Sequence, residues 1–194
     1  WFVHLRFPGH EHVTITDGVP EGWERKPLGE TVDVMKGKNI TKASANDGSV
    51  PVVAGGLRPA YYHDTPNVLG PVITVSASGA NAGYVNLYHK DIWASDCSYI
   101  GAASTEDLYY LYLFLRSKQK EILGFQKGTA QPHVYPKDLK RLSLLDPPRL
   151  VVELFQQSVS KNFLQVRGLL EQNKLLAKAR DLLVPRLMNG ELVA

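Results

Sequence analysis

From Leu150 to Leu183 the chain contains no proline and a single glycine, Gly168. Stepping by three and four residues from Val152 picks out Val152, Phe155, Val159, Asn162, Val166, Leu169, Asn173, Leu176, Arg180 and Leu183. Seven of these ten are apolar and two are asparagine. That is a heptad seam, in which buried asparagines set register at some cost in stability. At 1.5 Å per residue such a helix is about 50 Å long. A domain built from the rest of a 194-residue chain cannot cover it. The helix either packs across a sheet of its own domain or faces a partner, and a sustained 3.5-residue period suits a helical partner. No second long heptad stretch occurs in the chain, so that partner helix lies elsewhere.

The remainder is of ordinary globular composition, with 44% hydrophobic and 21% charged residues. One cysteine, Cys97, excludes a disulfide scaffold and makes a cysteine-based zinc knuckle implausible. No apolar run reaches about 18 residues, and no basic-then-apolar leader opens the sequence, so the expectation is a soluble cytoplasmic protein without a membrane partner. Charge is unevenly spread. Residues 1–115 carry eight basic and twelve acidic residues, 116–149 carry eight and three, and 150–194 carry six and four. A basic stretch of this kind is either a solvated surface or a footprint for phosphates.

Trp1–Glu11 starts apolar, lacks a helix cap and stops at Pro8-Gly9, and so reads as the end of a preceding element. A globular stretch starts near Pro20. Leu28, Val32 and Val34 suit a strand or short helix, Gly37–Ser49 reads as a loop, and Val50–Ala54 as a short buried strand. Gly55–Gly70 reads as irregular, Pro71–Ala77 as a β-branched strand, and Gly79–Gly83 as a turn. Tyr84–Tyr88 and Ile92–Ile100 are two more predicted strands. A helix capped by Ser104 or Thr105, with Leu108, Leu111, Leu115 and Ile122 on one face, is predicted to end by Gly124. Gly128–Pro136 reads as a loop and Leu142–Leu145 as a strand, stopped by Pro147-Pro148.

Several strings imitate catalytic motifs. Asp146-Pro147-Pro148-Arg149 resembles the Asp-Pro-Pro-aromatic motif of amino-methyltransferases, but Arg149 replaces the stacking aromatic and no glycine-rich cofactor loop precedes it. Ser78–Gly83 is glycine-rich after a strand, yet a second strand follows it, so no helix N-terminus is there to cradle phosphate. His10 and His12 flank Glu11 and would share a face of an extended segment, without a third ligand near in sequence. Cys97 has no neighbouring cation to lower its pKa. Asp91, Asp96, Asp107 and Asp138 form no pair spaced for two-metal chemistry. No catalytic site, metal site or cofactor is therefore predicted.

Four segments carry a family resemblance. They are Pro20–Glu24 with Leu28-Gly29-Glu30; Ser76–Val85; Gly128–Val134 ahead of Leu139 and Pro147-Pro148; and Leu170–Leu176 with Arg180–Met188 and Gly190-Glu191-Leu192. As a set they resemble the DNA-specificity (HsdS) subunit of Type I restriction-modification systems. The resemblance implies an α+β fold, with a mixed α/β target-recognition domain over 20–149 and an appended long coiled-coil helix over 150–194. Residues 1–19 would be the exit from a preceding conserved helix, and the chain one half of a prokaryotic subunit, the C-terminal half. It further implies sequence-specific recognition of double-stranded DNA, non-catalytic, with methyltransferase and restriction subunits as partners. The long helix would pair with that of the other half or with a second copy. The competing reading is a protein-interaction adaptor that uses the helix and binds no DNA. A weaker third is an enzyme of unfamiliar type.

Motifs shared by members with different targets would be scaffold, which places Gly79, Gly83, Gly128 and Gln131 there. Base reading is then expected from the irregular polar stretches, through Lys36, Lys38, Asn39, Lys42, Arg58, Tyr61 and Tyr62, since lysine and arginine pair with guanine edges and asparagine with adenine. Phosphate contacts are expected from Lys118, Lys120, Lys127, Lys137, Lys140 and Arg141, with His133 and Tyr135 near the DNA. Off the seam, Glu153, Lys161, Arg167, Glu171, Lys174 and Lys178 could meet methyltransferase subunits.

Overall fold

The β-branched run Val72–Ser76 is buried along its whole length in the computed structural model, which describes residues 1–128 and 131–191. Thr129, Ala130 and Leu192, which belong to the family-like segments above, lie outside the described residues. The elements are strands β1 (Ile15–Thr16), β2 (Val19–Pro20), β3 (Glu24–Pro27), β4 (Met35–Lys36), β5 (Val50–Val53), β6 (Tyr61–His63), β7 (Val72–Ser76), β8 (Val85–Tyr88), β9 (Trp93–Ala94), β10 (Cys97–Gly101) and β11 (Ser143–Asp146), and helices α1 (Leu28–Thr31), α2 (Leu108–Ser117), α3 (Gln119–Leu123), α4 (Pro136–Leu139) and α5 (Arg149–Met188). This is the mixed α/β arrangement with a long C-terminal helix that the sequence predicted.

A four-stranded antiparallel sheet runs β4-β10-β7-β8, and β5 lies between antiparallel β6 and parallel β9 in a three-stranded sheet. Alternation along β7 divides the core. Ile73 and Val75 join Leu28, Val34, Leu111, Leu115 and Ile122 in the larger cluster, while Val72 packs with Val53, Val68, Ile92, Ala94 and Cys97. Because successive side chains of a strand point to opposite faces, one strand feeds both clusters.

The differences from the sequence reading have local causes. The predicted strand Ile92–Ile100 is two strands, because β9 pairs with β5 and β10 with β7 and β4. The irregular stretch 55–70 contains β6, which pairs with β5. The predicted single helix ending by Gly124 is broken at Lys118 into α2 and α3. There the Ser117 hydroxyl donates to the Phe114 carbonyl at 2.7 Å, a back-bond that bends helices. The bend brings Gln119 to the outer edge of β8, where its amide accepts from Val85 N–H at 3.0 Å and donates to the Gly83 carbonyl at 2.8 Å. Gly83 itself sits at φ +89° with Ile122 and Val134 against it, so only glycine suits the position. At the start of α2, Thr105 Oγ1 accepts from Asp107 N–H at 3.0 Å, and Asp107 takes the cap position.

Two compact units divide the chain, Trp1–Gln156 and Gln157–Ala194. The first includes the opening residues and the first turns of α5. Phe2 lies 4.5 Å from Tyr110 and 4.8 Å from Phe155 between ring centroids, and Phe7 lies 4.7 Å from Trp23. Gln156 donates to the Glu106 carbonyl at 2.6 Å and accepts from Tyr110 N–H at 3.1 Å. Arg149 holds both oxygens of Asp107 at 2.8 Å, with Glu106 at 3.0 Å and Glu153 at 2.9 Å. The second unit is the rest of α5 with the residues after it; the helix continues past the expected Leu183, through Pro185, to Met188. Among the described residues no helix is long and apolar enough to cross a membrane.

Replacing Leu111, which is 1% exposed, by alanine is expected to cost about 2–5 kcal/mol in urea denaturation. A second prediction concerns Asp138, also buried. Burial alone would raise its pKa, but the hydrogen bond and charge of Lys127 hold the carboxyl below its ordinary range. A lowered folded-state pKa adds stability above the unfolded value of about 3.9, lost as pH falls through the folded value. Asp138→Asn should therefore unfold more easily at pH 7 and lose part of the wild-type acid sensitivity below about pH 4, read as midpoint shifts across pH.

Candidate nucleic-acid interface

The polar stretch after β4 has few apolar side chains to anchor it, and hydrogen bonds from neighbouring strands fix its path instead. Lys38 N–H donates to the Ala94 carbonyl at 2.9 Å, and the indole of Trp93 donates to the Lys38 carbonyl at 2.8 Å. Ile40 N–H donates to Ser95 Oγ at 3.3 Å, and the Tyr61 hydroxyl donates to the Ile40 carbonyl. Thr41 and Ser44 cap the 3₁₀ turn Lys42–Ser44 reciprocally. Asn46 N–H then donates to His63 Nδ1 at 3.0 Å, and its side-chain amide to Asp64 at 2.9 Å. That last bond, with smaller help from the Thr65 hydroxyl and His63, holds the Asp64 carboxyl below its ordinary range. The outcome is an ordered loop on which Lys36, Lys38, Asn39 and Lys42 are all exposed. Among the described residues none of these three lysines makes an ion pair.

Arg58 is exposed in the turn between β5 and β6. That turn adjoins the family-like Ser76–Val85 stretch, since Ser76 Oγ donates to the Gly55 carbonyl at 2.8 Å. Ser78 in turn pairs with His133, Gly79 N–H donates to the Pro132 carbonyl at 3.0 Å, and Val134 N–H to the Ala77 carbonyl at 2.9 Å. Three segments distant in sequence thus meet. The rings of His133 and Tyr135 stack at 5.9 Å and 12°, with Lys137 Nζ 5.7 Å from the Tyr135 centroid. His133 Nδ1 lies 2.8 Å from the Gln131 carbonyl, which makes that nitrogen the donor.

The structure separates the expected contact residues into two groups. Tyr62 is exposed, but Tyr61 is half-buried with its O–H donating into the loop, so it positions the loop and has no donor left for a base. Among the six basic residues expected on phosphate, three are already paired. Lys118 holds Glu121 at 2.8 Å, Lys127 holds Asp138 at 2.8 Å, and Lys140 holds Asp33 at 3.3 Å. The Lys127 pair is structural, because Asp138 is 5% exposed. Lys120, Lys137 and Arg141 are exposed and make no ion pair among the described residues.

The imitated motifs take structural roles. Asp146 pairs with Lys26 at 2.8 Å across β3 and β11, and Arg149 with Asp107. His10–His12 is a 3₁₀ turn, not extended, with His10 Nδ1 on the Phe7 carbonyl at 2.8 Å. Burial pushes the Cys97 thiol up to about 12. Among the described residues no group of three or more His, Cys, Asp or Glu could hold a metal. Sequence reasoning missed Trp93, His63 and Asn46, which hold the loop. Their signal is weak, because each acts through a backbone group that only the fold brings near.

Along α5 the expected seam divides. Val152 is buried in the first unit's own core and Phe155 packs against it, so these two face their own domain and not a partner helix. Val159 is half-buried, whereas Asn162, Val166, Leu169, Asn173, Leu176 and Leu183 are exposed. Further exposed apolar residues, among them Leu170, Val184 and Leu187, lie along the same helix.

Comparison with known proteins gives the family and the fold. The chain is similar to the Type I restriction enzyme MjaIX specificity subunit of Methanocaldococcus jannaschii, at 25% identity over 99% of this chain and 50% of that one. It is similar to the HindI specificity subunit of Haemophilus influenzae at 24% identity, over 90% of this chain and 42% of that one. The chain therefore spans about half the length of these relatives. Its fold matches the Type I restriction-modification S subunit from M. genitalium with a TM-score of 0.69 at 20% identity, over 90% of this chain and 47% of that one. It matches the HsdS subunit from Thermoanaerobacter tengcongensis with a TM-score of 0.51 at 20% identity, over 94% and 49%. The family description "Type I restriction modification DNA specificity domain" fits residues 20–161, most of the chain, and the chain belongs to that family.

Proposed function

We propose that the chain recognises a specific sequence in double-stranded DNA as one target-recognition unit of a Type I specificity subunit. In this reading it does no chemistry itself and directs methyltransferase and restriction subunits to the site, in a prokaryotic cytoplasm. The observation that carries it is the ordered loop presenting Lys36, Lys38, Asn39 and Lys42, together with an exposed Arg58 in the β5–β6 turn. Base reading needs donors at fixed spacing, because hydrogen bonds to base edges discriminate only when their geometry is pre-set. A loop tied at Lys38, Ile40 and Asn46 meets that need. The unpaired cations Lys120, Lys137 and Arg141 supply the sequence-independent attraction to phosphate. The exposed apolar residues of α5 from Val166 to Leu183 supply a seam for a second long helix, from the other half of a subunit or a second copy of this chain.

Selection from a randomised duplex pool should enrich one sequence, with affinity that falls as salt rises. Neutralising Lys120, Lys137 or Arg141 should weaken all sequences alike and lower the salt slope by about one each. Neutralising Lys118 or Lys140, already paired with carboxylates, should leave the slope nearly unchanged. An unaltered slope on neutralising all three unpaired cations would place phosphate contact elsewhere. Binding through the helix with no DNA shift at any salt would favour the adaptor reading.

Sedimentation tests the seam. The purified chain at tens of micromolar should self-associate through α5, and Val159→Glu with Val166→Glu should return it to monomer, because burying unpaired charges costs more than such a seam supplies. A monomeric parent chain would defeat this assignment.

A further inference from the structure

The loop between β4 and β5 forms, with β6, an open cup of about 330 Å³ lined by Lys42, Ala45, Asp47, Gly48, Tyr61 and Tyr62. Two opposite charges, Lys42 and Asp47, share it, both exposed. Among the described residues neither makes an ion pair. The backbone between them is held open. Thr41 and Ser44 fix the turn on one side, and His63 holds Asn46 N–H at 3.0 Å on the other. Gly48 lies so close to the His63 carbonyl that a Cβ would collide with it, which presses the loop onto β6. Asp64 is spent on Asn46, the Thr65 hydroxyl and His63. Asp47 is the carboxylate left over on a loop that otherwise presents Lys36, Lys38 and Lys42.

A free carboxylate opposes phosphate binding, so on a DNA-facing loop it has to be answered by hydrogen-bond donors. In the major groove a G·C pair presents guanine O6 and N7 as acceptors and cytosine N4 as a donor, side by side. We propose that Lys42 and Asp47 together read one G·C base pair, Lys42 donating to guanine and Asp47 accepting from the cytosine amino group. The proposal rests on the DNA-recognition reading above and adds to it a base pair and a partner residue, Asp47. His63, which accepts from Asn46 N–H, fixes the backbone next to Asp47.

The test binds the chain and its Lys42→Ala, Asp47→Ala and Asp47→Asn variants to a randomised duplex pool, followed by sequencing. The parent should demand G·C at one position. Lys42→Ala and Asp47→Ala should each relax that same position by about tenfold or more and leave the others unchanged. Asp47→Asn keeps the size of the side chain and an acceptor oxygen for the cytosine amino group, and should relax the position less than Asp47→Ala, with an unchanged melting temperature for all three. Relaxation at two different positions, or an unchanged preference, overturns the pair while leaving DNA recognition standing. A parent chain that enriches no sequence and shows no salt-dependent binding overturns both.

Discussion

The double burial of β7 is the constraint on which the rest of the first unit depends. A strand with no exposed face has to be covered twice, and its two side-chain rows need separate layers. Ile73 and Val75 are covered by α1, α2 and α3 through Leu28, Leu111, Leu115 and Ile122. Val72, on the other row, is covered by residues of β5, β9 and the segments beside them. The loop and the turn proposed above to read bases hang on this second covering layer. The loop over Lys36–Gly48 is tied to β9 and β6, the Arg58 turn joins β5 to β6, and Ser76 Oγ reaches from β7 to the end of β5.

The small layer is polar where it matters and is held by hydrogen bonds more than by apolar area. Its core cluster comprises six residues, Val53, Val68, Val72, Ile92, Ala94 and Cys97. Asn67 stands in for a strand partner, accepting from Ala94 N–H at 2.6 Å and donating to its carbonyl at 3.0 Å. A layer built this way keeps backbone groups satisfied while leaving side chains at its rim free to vary. The larger cluster carries the opposite burden, since α2, β11 and the first turns of α5 share it through Leu111, Leu144 and Val152.

The clearest change between sequence and structure concerns the basic residues. Their count in 116–149 is compatible with a solvated surface or a phosphate footprint, and Lys118, Lys127 and Lys140 are spent on Glu121, Asp138 and Asp33. Asp33 is 107 positions from Lys140, so no reading of local charge could have paired them. The same holds for Tyr61, whose hydroxyl is taken by a carbonyl 21 residues earlier. Val152 and Phe155 fit the heptad period yet are drawn into the first unit, because period alone does not say which surface a helix turn meets.

The sequence by itself determined the long C-terminal helix, the buried strand at 72–76, the amphipathic face of Leu108, Leu111 and Leu115, the absence of a disulfide framework and the family. These are periodic or compositional properties, encoded by neighbouring residues, and survive without knowledge of contacts. Only the tertiary structure decided which cations remain unpaired, that Trp93, Tyr61 and His63 order the loop between β4 and β5, and that Lys42 and Asp47 share one cup. Trp93, Tyr61 and His63 act from the β6-β5-β9 sheet and Lys140 reaches Asp33 107 positions away, and such non-local pairing leaves no trace in a one-dimensional pattern.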